Sequence, residues 1–419
     1  MQVRAGSESV SEPGTASDPW TFDRLPDYAF PRLAGLLAGT EPGAVPIDLA
    51  LGEPKHAFPP MVTEILAREA AGYGRYPPPA GTPDHLDAVT GWLNRRYGLS
   101  EGWIDPRTHV IALNGTREGL FMAAQTLAGH KADRSDRPAI LMPNPFYQCY
   151  AAAAVSIGAE PVFLDATAAT GHLPDLEALP EDLLARTAAV YLCSPANPQG
   201  TVADGAYWGR LLELAQAHDF FVFADECYAE IYDAGPPTGI LETAHARGTP
   251  PARILAFHSL SKRSNLPGLR CGFVAGDPLL IARFRKLRSY GGAPSPLPIQ
   301  AAAAAVWRED THVEANRALY TRKLDWAAEH FADRFGFFRP PGGFFLWLDM
   351  SRVGLSGEQA TLHLWRETGV RVLPGAYLAR GHGRHGADNP GHDYIRVALV
   401  HDETVTQDAL SRLIATVGG

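Results

Sequence analysis

The segment SLSKRSNLPGLR, residues 259–270, combines side chains that could do chemistry. It places Lys262 between serines and sets Arg270 eight positions later, after a proline-glycine break. A lysine amine can form an imine with a carbonyl compound, and an arginine among hydroxyl groups can hold a phosphate. A solvated loop would carry the same residues by chance. The rest of the chain has to distinguish these two interpretations.

Polar residues also stand at the ends of several apolar runs. Gly115 and Thr116 follow one run and open a helical pattern, where free backbone N–H groups would suit an anion. Asp225 ends another run, with Tyr228 three residues on, and a buried carboxylate there needs a positive partner. An ordinary turn between strand and helix for the first pair, and a helix N-cap for Asp225, are the alternatives.

Two further polar residues belong to the same pattern. Asn197 follows the run AAVYLCSP and lies between two prolines, and Arg396 lies inside the apolar run YIRVALV. A plain turn would account for Asn197. An arginine in a buried strand is rarely without a partner, and an internal salt bridge is the alternative to a binding role.

Continuous apolar runs, rather than alternating ones, precede most of these residues, which is typical of strands buried on both faces. The predicted strands are 109–114, 139–143, 188–195, 220–226, 253–259 and 272–276. Helical stretches separate most of them, so their order predicts an α/β fold with a mainly parallel sheet covered by helices on both sides. Ligands of such sheets bind outside the carboxyl ends of the strands, which is where the polar residues fall.

The character of the chain changes after about residue 300. Long helices over 300–334 lead to the runs GGFFLWLDM, VRVLPG and YIRVALV, which predict a smaller α+β domain. We expect a large, ligand-binding domain over 59–300 and a small domain over 301–419, with an N-terminal segment, 26–58, packed on the small domain. Residues 1–25 contain much Ser, Glu, Gly and Pro, which predicts a disordered tail.

Length and composition exclude several classes of protein. A chain of 419 residues with 46% hydrophobic and 20% charged residues is typical of a globular protein with two domains. The net charge of −9 argues against binding to nucleic acid or anionic membranes, and no apolar run is long enough to span a bilayer. The four cysteines lie far apart, so we expect neither a metal site nor a disulfide framework, and we expect a cytoplasmic protein.

Taken in order, these segments resemble the fold-type I pyridoxal-phosphate aminotransferases of class I and II, from about residue 25 to the end of the chain. The segment around Lys262 is similar to that family's lysine signature. The resemblance implies that Lys262 forms a Schiff base with the cofactor and later moves the substrate α-proton, while Asp225 pairs with the pyridine nitrogen. Asn197 and Tyr228 would hydrogen-bond the ring hydroxyl, and Tyr147 would stack on the ring. Lys262, Asp225 and Tyr228 are the implied catalytic residues.

The resemblance also implies a phosphate site and an oligomer. The residues expected around the phosphate are Gly115, Thr116, Ser259, Ser261 and Arg270, and Arg117 is expected among the other cofactor-binding residues. Tyr76 matches a tyrosine that reaches the phosphate of the neighbouring subunit, which implies a homodimer with shared active sites. Arg396 matches an arginine that grips the substrate α-carboxylate, and Gly52 and Asn197 match positions that line the substrate site.

The motifs are most similar to bacterial N-succinyldiaminopimelate aminotransferases, which implies transfer from N-succinyl-LL-diaminopimelate to 2-oxoglutarate in lysine biosynthesis. Relatives selective for aspartate carry an arginine near 289–300, a segment without Lys or Arg here. Lys55, three residues after Gly52, is expected to meet the distal carboxylate of the donor, and a solvated loop lysine is the alternative. Other aminotransferase specificities (aspartate, aromatic or acetylornithine-like) and C–S lyases of the same fold are the alternative functions.

Overall fold

The computed structural model describes residues 21–25, 27–131, 137–381 and 388–418 of the chain. The first twenty positions of the predicted disordered tail lie outside the described residues. Behind them, Phe22–Arg24 form a single 3-10 turn. None of the helices in the described ranges is long and apolar enough to cross a membrane.

The described residues contain three β-sheets and fourteen α-helices. The strands are β1 (Ile47–Asp48), β2 (Val110–Leu113), β3 (Ala139–Asn144), β4 (Glu160–Asp165), β5 (Thr187–Cys193), β6 (Phe221–Asp225), β7 (Ile254–Ser259), β8 (Gly272–Gly276), β9 (Phe345–Asp349), β10 (Val370–Arg371), β11 (Leu373–Pro374) and β12 (Tyr394–Ala398). The helices are α1 (Ala29–Leu37), α2 (Met61–Arg68), α3 (Pro83–Tyr97), α4 (Thr116–Gln125), α5 (Cys149–Ser156), α6 (Glu181–Arg186), α7 (Gly205–His218), α8 (Ile240–Ala246), α9 (Leu260–Arg263), α10 (Pro278–Gly291), α11 (Leu297–Trp307), α12 (Thr311–Phe331), α13 (Gly357–Thr368) and α14 (Glu403–Val417).

The largest sheet has seven strands in the order β2-β8-β7-β6-β5-β3-β4. In this sheet β8 runs opposite to the other six strands, which all share one direction. The prediction of a mainly parallel sheet within an α/β fold is therefore confirmed. Along β5, Val190 and Leu192 pack into the core on one face, and Ala189 and Tyr191 pack into the core on the other. Because both faces are covered, the strands read as continuous apolar runs in the sequence.

The second part of the molecule is built on the antiparallel sheet β11-β12-β9, over which α12, α13 and α14 pack. The N-terminal segment joins it, since β1 pairs with β10 and α1 contacts α13. Helix α11 instead packs on α2 and α3 and contributes Trp307 to the core of the large sheet. We therefore propose a domain boundary between α11 and α12, about ten residues beyond the expected position at 300/301.

The topology brings several chain segments to one edge of the large sheet. Strands β2, β5, β6 and β7 run in the same direction, so their carboxyl ends meet there. These ends carry Asp225 and Ser259 and lead into the turns that hold Gly115 and Asn197. Strand β12 presents Arg396 toward the same edge, where its guanidinium contacts Asn197.

Candidate active site

A cavity of about 450 Å³ lies at this edge, between the two sheets. The sequence-predicted residues that line it are Gly52, Thr116, Arg117, Tyr147, Asn197, Asp225, Tyr228, Ser259, Ser261, Lys262, Arg270 and Arg396. They come from segments up to 344 positions apart in the chain. Packing has thus brought into one cavity the polar residues that the sequence showed only as scattered strand ends.

Lys262 lies on the short helix α9, directly after β7. The hydroxyl of Ser259 caps this helix by accepting a hydrogen bond from the backbone N–H of Ser261, at 3.1 Å. Lys262 Nζ donates to the carbonyl oxygen of Gly52. Burial lowers the pKa of Lys262 to about 8, and the nearby Arg396 guanidinium acts in the same direction. The amine is therefore readily neutral, as a nucleophile or a general base must be.

Asp225 is a buried carboxylate at the end of β6, 5% exposed. Its Oδ2 accepts a hydrogen bond from the Tyr150 hydroxyl at 2.7 Å, and its Oδ1 accepts one from the backbone N–H of Cys227 at 3.3 Å. Burial raises the pKa of Asp225. No cationic side chain of the described ranges forms an ion pair with it, and the next α-helix begins only at Ile240, so it is not a helix N-cap. A protonated nitrogen of a bound ring would suit this carboxylate.

The turn after β2 packs closely against Arg270. Gly115 has a φ of +78°, and a Cβ there would lie 2.3 Å from Nη2 of Arg270, so glycine is required for this approach. Helix α4 begins at Thr116 without a side-chain cap, which leaves its first backbone N–H groups available. The Ser259 hydroxyl lies 2.9 Å from that of Ser261 on the same wall. A helix N-terminus, a guanidinium and two hydroxyls fit a phosphate group.

Arg396 is a buried cation of the cavity wall, 4% exposed. Its Nη1 donates to Oδ1 of Asn197 at 2.8 Å, and its Nη2 donates to the carbonyl oxygen of Ala50 at 2.7 Å. Its guanidinium carbon lies 4.4 Å from the centre of the Phe345 ring. Burial lowers the pKa of Arg396 to about 10. None of the carboxylates in the described ranges pairs with it, so the internal salt bridge is not formed there, and a substrate carboxylate would suit its guanidinium.

Aromatic side chains complete the walls. Tyr228 packs edge-on against Phe344 and Phe345, at centroid distances of 5.5 and 5.7 Å. The hydroxyl of Tyr147 accepts a hydrogen bond of 2.5 Å from Nε of Arg117. Aromatic faces beside donors and cations are suited to a flat, charged ring system.

Three predicted residues lie outside the cavity wall. Gly115 lies behind it, against Arg270. Tyr76 is fully exposed, at 102% of its reference area. Lys55 does not line the cavity, but its Nζ forms a 2.5 Å ion pair with Glu53, which does. The dimer role of Tyr76 and the substrate role of Lys55 stay predictions.

Sequence reasoning did not single out several residues that line the cavity: Tyr28, Glu53, Gln148, Tyr150 and Phe345. Gln148 accepts a hydrogen bond from the backbone N–H of Ala29 and donates one to the carbonyl of Tyr377, at 3.1 Å each. Gln148 thereby connects the N-terminal segment and the turn after β11 to the cavity wall. Tyr150 lies three residues after Tyr147 in PNPFYQCY, which was the one available signal for it.

With this geometry, the chain belongs to the class I and II aminotransferases, whose family model matches residues 44–413. These are pyridoxal-phosphate-dependent enzymes that act on amino acids and 2-oxo acids, so the chain is a pyridoxal-phosphate-dependent aminotransferase. Three features fit that cofactor: Asp225 without an ion-pair partner in the described ranges, the glycine-dependent approach of Arg270 to α4, and the lowered pKa of Lys262.

The similarity to individual proteins extends over most of the chain. An LL-diaminopimelate aminotransferase of Moorella thermoacetica is 30% identical over 402 residues, which cover 94% of this chain and 97% of that protein. The 4-dedimethylamino-4-oxo-anhydrotetracycline transaminase of Streptomyces rimosus is 31% identical and covers 88% of this chain and 92% of its own length. The crystal structure of an aminotransferase from Neisseria meningitidis matches with a TM-score of 0.87 and 35% identity, covering 94% of this chain and 98% of that one. None of these three bears the name of an N-succinyldiaminopimelate aminotransferase.

Proposed function

We propose that this aminotransferase moves the α-amino group of N-succinyl-LL-diaminopimelate to 2-oxoglutarate. The observation that carries the proposal is a pair of guanidinium groups, Arg396 and Arg117, on one cavity. Arg117 contacts the hydroxyls of Tyr147 and Tyr28, at 2.5 and 3.4 Å, and no carboxylate of the described ranges pairs with it. Two cations without acidic partners favour substrates with a second carboxylate away from the reacting carbon. Both 2-oxoglutarate, with two carboxylates, and the donor, with three, have one.

A second candidate donor is unsubstituted LL-diaminopimelate. It is favoured by Glu53, whose carboxylate lines the cavity and would attract the distal ammonium group of that donor. Several relatives, including that of Moorella thermoacetica, also carry the name LL-diaminopimelate aminotransferase. The succinylated donor lacks the distal ammonium group, so the two donors make opposite demands on Glu53.

In the proposed reaction, bound pyridoxal phosphate supplies an electron sink for the substrate Cα–H bond. Arg396 holds the α-carboxylate and so turns the Cα–H bond toward Lys262. Lys262 Nζ, whose pKa burial lowers to about 8, accepts the α-proton in its neutral form. Asp225 would provide the negative charge for the ring nitrogen, and Asn197 and Tyr228 would provide hydrogen bonds to the ring hydroxyl. The phosphate would lie among Thr116, Ser259, Ser261 and Arg270.

We further propose a homodimer in which Tyr76 completes the phosphate site of the partner subunit. The full exposure of its side chain supports this role, since an aromatic ring gains by burial in an interface. A Tyr76→Phe variant that keeps its dimer mass in light scattering but binds pyridoxal phosphate more weakly is the expected result. Unchanged cofactor affinity would contradict the shared site. The cytoplasmic location stays a prediction from the sequence.

A donor panel tests the main proposal. Initial rates with 2-oxoglutarate are compared for N-succinyl-LL-diaminopimelate, LL-diaminopimelate, N-acetylornithine, aspartate, glutamate and aromatic donors. We expect the highest kcat/KM with the succinylated donor, and a loss of about tenfold for it in Arg117→Gln. Arg68→Gln, an exposed arginine paired with Glu69, is the matched control. A preference for aspartate or an aromatic donor would overturn the proposal.

A further inference from the structure

The residues that directly follow Lys262 contact the junction between α11 and α12. Arg263 is 2% exposed although it is a charged side chain. Its Nη1 donates to the carbonyl oxygen of Val306 at 3.0 Å. Its Nη2 donates to the carbonyl oxygen of Glu309 at 3.0 Å and to Oδ1 of Asp310 at 2.5 Å. One buried guanidinium therefore satisfies carbonyls at the end of α11 and a carboxylate just before α12.

Ser264 extends this contact. Its hydroxyl accepts a hydrogen bond from Nη1 of Arg263 at 3.1 Å and lies 2.8 Å from Nε2 of His312. The other ring nitrogen of His312 contacts the carboxylate of Glu309. The order serine, histidine, carboxylate resembles a hydrolytic triad. Ser264 is only 1% exposed, however, so no substrate reaches its hydroxyl and the arrangement is structural.

Asn316, on the second turn of α12, closes the contact from the helix side. Its Nδ2 lies 3.5 Å from the carbonyl oxygens of both Lys262 and Arg263, and its Oδ1 accepts a hydrogen bond of 3.0 Å from Asn265. Each of the four residues 262–265 thus forms a hydrogen bond with the stretch 306–316. That stretch contains the proposed domain boundary, and α12 continues into the core around β12, which carries Arg396.

We propose that Arg263 is a positioning residue that couples Lys262 to the domain junction and so fixes the lysine amine relative to Arg396. The proposal rests on the role of Lys262 stated above. Arg263 does not line the cavity, so it acts through the backbone of its neighbour. Its fork of donors holds four acceptors at fixed positions, which an ammonium group cannot reproduce.

The structure supplies a matched control. Arg95, on α3, donates from its Nη2 to the carbonyl oxygen of Trp307 at 3.1 Å and to Oδ2 of Asp310 at 3.4 Å. It reaches the same junction from the solvent side, with 48% of its side chain exposed, and contacts no residue next to Lys262. Loss of Arg95 weakens the junction, whereas loss of Arg263 also removes contacts between the junction and residues 262–265.

The holoenzyme variants Arg263→Met, Arg263→Lys and Arg95→Met are compared by steady-state kinetics and by visible circular dichroism of the bound cofactor. For Arg263→Met we expect kcat to fall at least about tenfold, donor KM to change less than about threefold, and the visible dichroism to decrease. Arg263→Lys should lie between this variant and the wild type. Arg95→Met should keep kcat within about twofold and keep the dichroism.

An Arg263→Met enzyme with wild-type kcat and dichroism, or an equal loss in Arg95→Met, would overturn the proposal. If Arg263→Met does not fold, Ser264→Ala removes one acceptor of Arg263 with a small change in volume. It should lower kcat and the dichroism in the same direction, and wild-type values in this variant would equally refute the coupling. The dichroism needs no substrate, so a wrong donor assignment leaves this test intact.

Discussion

Nη1 of Arg396 donates a 2.8 Å hydrogen bond to Oδ1 of Asn197, and this contact joins the two sheets across the cavity. Arg396 belongs to β12 of the small sheet, and Asn197 follows β5 of the large one. A second donor, Nη2, is held by the carbonyl oxygen of Ala50 in the N-terminal segment. The guanidinium is thus fixed by two neutral acceptors, which do not neutralise its positive charge.

Replacement of Arg396 by lysine should therefore weaken substrate binding without removing the charge. We expect kcat/KM for all donors to fall about tenfold to a hundredfold, since the bidentate geometry is lost. Arg412→Lys, at a surface pair with Asp408, should leave kcat/KM unchanged. Steady-state kinetics with glutamate and 2-oxoglutarate measure both. A wild-type kcat/KM in Arg396→Lys would show that this arginine does not bind the α-carboxylate.

Asp225→Asn keeps the shape of the side chain and removes its charge. We expect cofactor binding to survive in part, while kcat falls at least about a hundredfold, because the ring nitrogen loses its counter-charge. Tyr150→Phe is the matched comparison: it removes only the 2.7 Å hydrogen bond to Asp225 and should cost no more than about tenfold. Equal rates for Asp225→Asn and the wild type would leave Asp225 a structural residue.

Lys262→Ala should abolish the lysine-linked visible absorbance and lower transamination by about a thousandfold or more, since both the covalent link and the base are lost. Lys286→Ala, an exposed lysine on α10, is the control and should match the wild type. Absorbance spectra and initial rates on the same preparations check the prediction. Undiminished turnover in Lys262→Ala would refute the assignment of the cofactor lysine.

The pH dependence of cofactor uptake tests the environment of the same lysine. Burial lowers the pKa of Lys262 from 10.5 to about 8, and only the neutral amine attacks an aldehyde. The rate at which the apoenzyme gains its visible absorbance should rise with pH and level off above about pH 8. Between pH 8 and 10.5, this lysine is protonated in the unfolded apoprotein and neutral in the folded one. The free energy of unfolding, relative to that of Lys262→Ala, should therefore rise with pH across that interval. A midpoint of the uptake rate near pH 10.5 would show that burial does not lower the pKa of Lys262.

The sequence allowed the large sheet to be predicted because its strands are buried on both faces and read as continuous apolar runs. Strand β4, Glu160–Asp165, was missed because it lies at the sheet edge, where only one of its six residues is buried and no continuous apolar run forms. That residues at strand ends, such as Asp225, lie in one cavity could be predicted because parallel strands end at one edge of the sheet. The contacts of Gln148 with Ala29 and Tyr377 could not, since they join positions 119 and 229 residues apart and depend on packing alone.

The last prediction concerns Lys55 and its partner Glu53. Their 2.5 Å ion pair is 45% and 43% exposed, so it contributes little to stability, and Tm should change little when it is removed. Its effect on donors is different, because Glu53 lines the cavity and Lys55 neutralises it. Without Lys55, a long anionic donor meets an uncompensated carboxylate.

We expect Lys55→Ala to raise the KM for N-succinyl-LL-diaminopimelate about tenfold and the KM for glutamate less than about twofold, because lost binding of a remote group appears mainly in KM. Glu53→Gln is the matched variant and should act in the opposite direction on the succinylated donor. With LL-diaminopimelate, whose distal ammonium group Glu53 would attract, Glu53→Gln should instead raise KM. Steady-state kinetics with the three donors separate these cases. Equal effects of Lys55→Ala on the succinylated donor and glutamate, or none on either, would end the case for a substrate role of Lys55.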